Sequence, residues 1–122
     1  GTLTPAQTAK ARMVGPALVA MVRRARAAHI RIAFGTDTGV SPHGMNAHEF
    51  VLLTQAGYSP LEAIQFATVA AADHLQLNGV IGRIAAGYSA DIVGVDGDPL
   101  ADVSVLEHVH YVMAHGTTQR ND

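Results

Sequence analysis

The residues best suited to chemistry lie in Phe34-Gly35-Thr36-Asp37-Thr38-Gly39, directly after the short apolar run from Ile30 to Phe34. The pattern reads as a strand that ends by presenting one carboxylate into a glycine-flanked loop, the end of a buried strand at which α/β enzymes place catalytic groups. Such a carboxylate can accept a proton or hold a cation, and the glycines let backbone and ligand approach closely. From spacing alone, an N-cap or an Asx-turn is the simpler account of Asp37. His43 follows in the same loop. It can touch substrate or donate from a neutral ring to an oxyanion, and a loop histidine bonded to nearby backbone is an equal alternative. Asn46 reads first as the N-cap of the next helix, with Glu49 three residues on, and second as a substrate contact.

Other polar residues invite chemistry less. His108-Val109-His110 on a strand puts two imidazoles on one face, but His115 falls off the alternation and exposed structural histidines are the expectation. Asp91, Asp96 and Asp98 are turn acids whose spacing fails the calcium-loop pattern. His29, His48 and His74 fall near helix ends or on helix faces. Arg23, Arg24 and Arg26 read as a solvated helix face.

Composition bounds the class. The 122 residues are 48% hydrophobic and 15% charged, enough for a domain with a core and unlike a disordered tail. A net charge of −2 without a basic stripe predicts no nucleic-acid partner. The chain has no cysteine, so disulfides and thiolate metal sites are excluded. No apolar run reaches the roughly 18 residues of a membrane span, so no membrane association is expected. No targeting segment is visible and a cytoplasmic setting is the default, although Gly1 in place of Met leaves room for residues upstream.

These side chains must be positioned by a few elements. Thr4-Pro5 opens a helix whose apolar residues Val14, Leu18, Met21, Val22 and Ala25 keep the helical period, and Pro16 is expected to kink or divide it. Ile30, Ile32 and Phe34 alternate as a strand. A helix follows Asn46 and stops at Gly57. Ser59-Pro60-Leu61-Glu62 opens another, running through Leu61, Ile64, Thr68, Ala71 and Leu75 to Gly79, with alanines that imply close packing. From Gly82 the period changes. Ile84, Ala90, Ile92, Val93 and Val95 read as short strands, Val103 to Leu106 is ambiguous, and Val109 to Met113 is a last strand. Gly82, Gly87 and Gly97 read as structural turns. A boundary between an α/β part and a small β part falls near residues 78–82.

Three stretches together resemble the amidohydrolase superfamily: Phe34 to Asn46 (FGTDTGVSPHGMN), Ala56 to Ile64 with Ala67-Thr68 and Ala70 to Ala72, and Ile81 to Val93 with Asp96 to Leu100. The first is most similar to prolidase-like and imidazolonepropionase-like hydrolases. The resemblance implies a (β/α)8 TIM barrel holding one or two divalent metals, usually zinc, beside a small β-sandwich. It makes Ile30–Gly35 barrel strand eight. Residues 1–80 become the C-terminal part of the barrel, and residues 81–122 the C-terminal share of the sandwich. It maps Asp37 onto the strand-eight aspartate that binds metal and takes a proton from the metal-activated water, and leaves His43 and Asn46 as candidate substrate contacts.

A complete barrel takes about 250 residues. The resemblance therefore implies an α/β C-terminal fragment of a metal-dependent amidohydrolase cutting a prolidase-type dipeptide or an N-acyl amino acid. The remaining metal ligands would come from the rest of the barrel or a companion polypeptide, and a homo-oligomer is expected. The alternative is a non-catalytic α/β interaction module or a subunit of a split assembly.

Overall fold

The computed structural model describes residues 3–39 and 43–122. Helix α1 spans Pro5–Ala27. Thr4 and Gln7 close a capping box at its start: the Gln7 N–H donates to Thr4 Oγ1 at 3.3 Å and the Thr4 N–H to Gln7 Oε1 at 2.8 Å. Arg24 and Arg26 in the last turn complement the negative end of the helix dipole. α1 runs through Pro16 as one helix, so the proline does not divide it in two. A proline removes one rung and crowds the carbonyl four residues before it, and the neighbouring rungs carry the helix across the gap. No residue of α1 is buried.

Residues 30–38 carry no regular secondary structure and pair with no strand among the described residues, so the strand expected over Ile30–Gly35 is not formed within this chain alone. The physical reason is the missing ladder: a strand exists through hydrogen bonds to a neighbour, and no other described segment lies alongside to supply one.

Helix α2 covers His48–Gln55, and its N-cap is Ala47 with no side-chain hydrogen bond, so Asn46 is not the cap. The chain enters through a tight turn in which His48, Glu49 and Phe50 donate to the carbonyls of Met45, Asn46 and Ala47. Gly57 (φ +107°) ends it as expected. The Gly57 N–H donates to Thr54 O and the Tyr58 N–H to Leu53 O, a Schellman closure in which Leu53 and Tyr58 also meet in the core.

Helix α3 spans Pro60–Ala67 behind the predicted Ser59–Glu62 capping box. The single helix expected through Leu75 is broken at Thr68 (φ −120°, ψ −92°) and resumes as α4, Val69–His74. The Thr68 hydroxyl donates to Ile64 O at 2.8 Å, a side-chain bond that competes with the backbone ladder.

The C-terminal third is an antiparallel sheet in the order β1 (Ile92–Val95), β2 (Val109–Ala114), β3 (Thr117–Asn121). Ile92 pairs with Met113 and Ala114 with Thr117. The ambiguous Val103 segment is a 3-10 helix, Val103–Glu107, capped by Asp102 and packed on α2. The Asp102 carboxyl is held below its ordinary value by the Ser104 hydroxyl and then the Ser104 N–H.

The core is small. Leu53, Tyr58 and Ala63 are its buried centre, ringed by Val22, Ile32, Phe34, Phe50 and Phe66. Among the described residues no helix is long and apolar enough to cross a membrane.

Candidate functional site

The Asp37 loop is aimed by what lies before it. Exposure alternates strictly from Arg31 to Gly39, with Ile32, Phe34, Thr36 and Thr38 half-buried and the residues between them exposed. Ile32 and Phe34 pack into the core. The Phe34 ring stacks on Phe50 with centroids 4.7 Å apart, and the Phe34 N–H donates to Phe66 O at 3.0 Å. One face of the segment is thus fastened to α2 and α3. Asp37 belongs to the other, exposed set, with its backbone in the left-handed region at φ +47°.

Around Asp37 stands a ring of neutral polar groups. Thr36 Oγ1 and Thr38 Oγ1 are 2.8 Å apart, and Asn46 Nδ2 donates to both, at 2.9 and 3.0 Å. This ring is invisible to local sequence patterns. Its only trace is the two-residue spacing of the hydroxyls, which puts them on one face of an extended segment. His43 is exposed, and among the described residues no side-chain hydrogen bond or ion pair involves Asp37 or His43. Val40, Ser41 and Pro42, part of the motif, lie outside the described residues.

Zinc does not fit what is present. Among the described residues no group of three or more His, Cys, Asp or Glu side chains stands close enough to hold a metal. A catalytic zinc takes about three protein ligands, so Asp37 alone is no metal centre.

The other histidines have structural roles. His108 closes the 3-10 helix and only His110 lies in β2, with Nε2 3.6 Å from Asp96 Oδ2. His48 is more than a helix-end residue: its Nδ1 lies 2.8 Å from Glu107 Oε1, tying α2 to the 3-10 helix. Ser89, Asp91 and His115 meet but cannot act as a triad. His115 Nδ1 is 3.1 Å from Ser89 Oγ and 3.9 Å from Asp91 Oδ1, whereas a triad engages opposite ring nitrogens. The cluster is a turn clasp, in which the His115 N–H and then the Ser89 hydroxyl hold the Asp91 carboxyl below its ordinary value.

Arg26 is not simply solvated, since its guanidinium carbon lies 5.7 Å from the Tyr58 ring centroid. Burial raises the Tyr58 pKa, Arg26 opposes that shift and Glu62 adds to it. A groove of about 510 Å³ lies at the start of the extended segment, lined by Ile30, Arg31, Ala33, Ala70, Asp73 and His74, and shares no residue with the Asp37 loop.

Known proteins resemble the chain along nearly all of it. The profile of the amidohydrolase family matches residues 4–118. An ochratoxinase of Aspergillus niger is 35% identical over 82 residues, which are 66% of this chain and 17% of the ochratoxinase. A Xaa-Pro dipeptidase solved with methionine in its active site superposes with a TM-score of 0.89 at 39% identity, over 94% of this chain and 28% of the dipeptidase. A prolidase solved with N-methylphosphonate-L-proline gives 0.87 at 30% identity, over 98% of this chain and 30% of that one. The chain therefore spans under a third of the length of each of these proteins.

Proposed function

Because this chain belongs to the amidohydrolase family, we propose that it is the C-terminal portion of a metal-dependent hydrolase that cleaves an amide or peptide-like C–N bond. Xaa-Pro dipeptides and N-acyl amino acids are the proposed substrates. Residues 1–80 would complete a barrel, with 30–35 as its last strand, and residues 81–122 would complete a sandwich.

The observation that carries this reading is the placing of Asp37. It follows an extended segment whose other face is bolted to two helices, and it stands on the face left open. A carboxylate so presented accepts a proton from water as the hydroxide adds to the amide carbon. It returns the proton to the amine nitrogen as the C–N bond breaks, so one residue serves both transfers. His43, exposed in the same loop, would contact substrate. A divalent metal such as zinc, when bound, makes water acidic near neutral pH. Asp37 would be one of its ligands, and the others would come from polypeptide beyond these residues.

The test is hydrolysis of Xaa-Pro dipeptides and N-acyl amino acids by the complete polypeptide, before and after chelation and after zinc is restored. Turnover of one class that disappears on chelation and returns with zinc is expected. No turnover of either class by the metal-replete protein would overturn the reading.

A further inference from the structure

The Asp37 loop is clipped by a single amide. Both hydrogens of Asn46 Nδ2 are engaged, one on the Thr36 hydroxyl and one on the Thr38 hydroxyl. The two hydroxyls share a third hydrogen across 2.8 Å. Turning the amide over would consume both hydroxyl hydrogens on Asn46 Oδ1 and leave nothing between the threonine oxygens. Only the orientation with Nδ2 donating satisfies all three short distances. The amide therefore has no N–H left for a substrate, and the N-cap of α2 is Ala47, so neither role expected of Asn46 from the sequence accounts for these bonds.

The three bonds straddle Asp37. They grip the residue on each side of it and tie both to the turn that leads into α2, which is itself anchored through Phe50 and Leu53. Between the two grips the Asp37 backbone sits in the left-handed region, which L-residues reach mainly where their surroundings hold them. We infer that Asn46 is a positioning residue that fixes the backbone of Asp37, and so the direction of its carboxylate, through the hydroxyls of Thr36 and Thr38. The inference rests on the catalytic reading of Asp37.

The test uses the complete hydrolase. Asn46→Ala is expected to lower kcat by about 10- to 100-fold with KM within about twofold, because a displaced reacting group costs rate rather than binding. In a crystal structure of that variant, Asp37 should leave the left-handed region. Thr38→Val should reproduce the kcat loss, Thr38→Ser should restore kcat relative to it, and the double variant Asn46→Ala/Thr38→Val should lose no more than either single one. The threonine pair carries the test if Asn46→Ala does not fold. Wild-type kcat in Asn46→Ala with an unmoved Asp37 backbone overturns the inference. Wild-type kcat in Asp37→Asn overturns the parent reading instead, and the Asp37 backbone in Asn46→Ala then still decides for or against the clip.

Discussion

Asp37 and Glu62 show what an acid's local partners do to it. Glu62 accepts the Ser59 N–H at 2.7 Å and the Ser59 hydroxyl at 2.8 Å, and these bonds, the backbone one foremost, hold its carboxyl below the ordinary 4.5. A folded-state pKa below the unfolded one stabilises the fold above the unfolded value, and that stability is lost as pH falls through the folded value. Ser59→Ala is therefore expected to cost about 1 kcal/mol at neutral pH. The gap between variant and wild type should shrink on acidification below 4.5, as measured by urea unfolding of the complete polypeptide at both pH values. A gap independent of pH would contradict the assignment. The Ser59–Glu62 box was legible in the sequence because all of its groups lie within one turn. Asn46 carries the same local pattern with Glu49, yet its amide goes to hydroxyls eight and ten residues away. Nothing local announces that competition. The role proposed for Asp37 comes only from the family pattern around it, since an Asp between Thr and Gly is also an ordinary turn residue.

Elements were readable where their signals are self-contained. Capping and closing residues located α1, α3 and the end of α2. The break at Thr68 escaped because the apolar spacing runs on through it and nothing in the pattern announces the hydroxyl bond to Ile64 O. Gly82 packs against the break: a Cβ there would stand 2.8 Å from Thr68 O and 3.0 Å from Ala72 Cβ. Strand β3 escaped because its residues, Thr117–Asn121, are all exposed and carry no alternation of apolar side chains. Its hairpin turns through His115 and Gly116, both at positive φ, the geometry of a type I′ turn that Asn-Gly signals more plainly. Gly82→Ala should destabilise by about 1–3 kcal/mol, from both the left-handed φ of +85° and the clash. Gly87→Ala, at φ +88° with nothing within 4 Å, carries the strain alone and should cost less. Equal losses of thermal stability in the two variants would show that the approach of Gly82 to Thr68 is not tight.

The molecule as a whole is under-buried. Its accessible surface is 8679 Å², against about 6,200 Å² for a compact monomer of 12.7 kDa. Met13, Leu18 and Ile84 are 73%, 52% and 82% exposed, and α1 has no fully buried residue although it is the longest helix described. Surfaces of this kind are covered by other polypeptide or they associate. The chain by itself is therefore expected to sediment as oligomers or aggregates and to hydrolyse no amide. A stable monomer that unfolds cooperatively would favour a free-standing module, and zinc bound at one per chain with turnover would contradict the claim that its ligands lie elsewhere.

The central claim is that Asp37 handles the proton of the reaction, and kcat/KM of Asp37→Asn in the metal-replete complete hydrolase tests it most directly. The substitution keeps the shape of the side chain and removes its basicity. A loss of about 100- to 10,000-fold is expected, the range a positioned acid–base group contributes. Near-wild-type kcat/KM on the same dipeptide would contradict it.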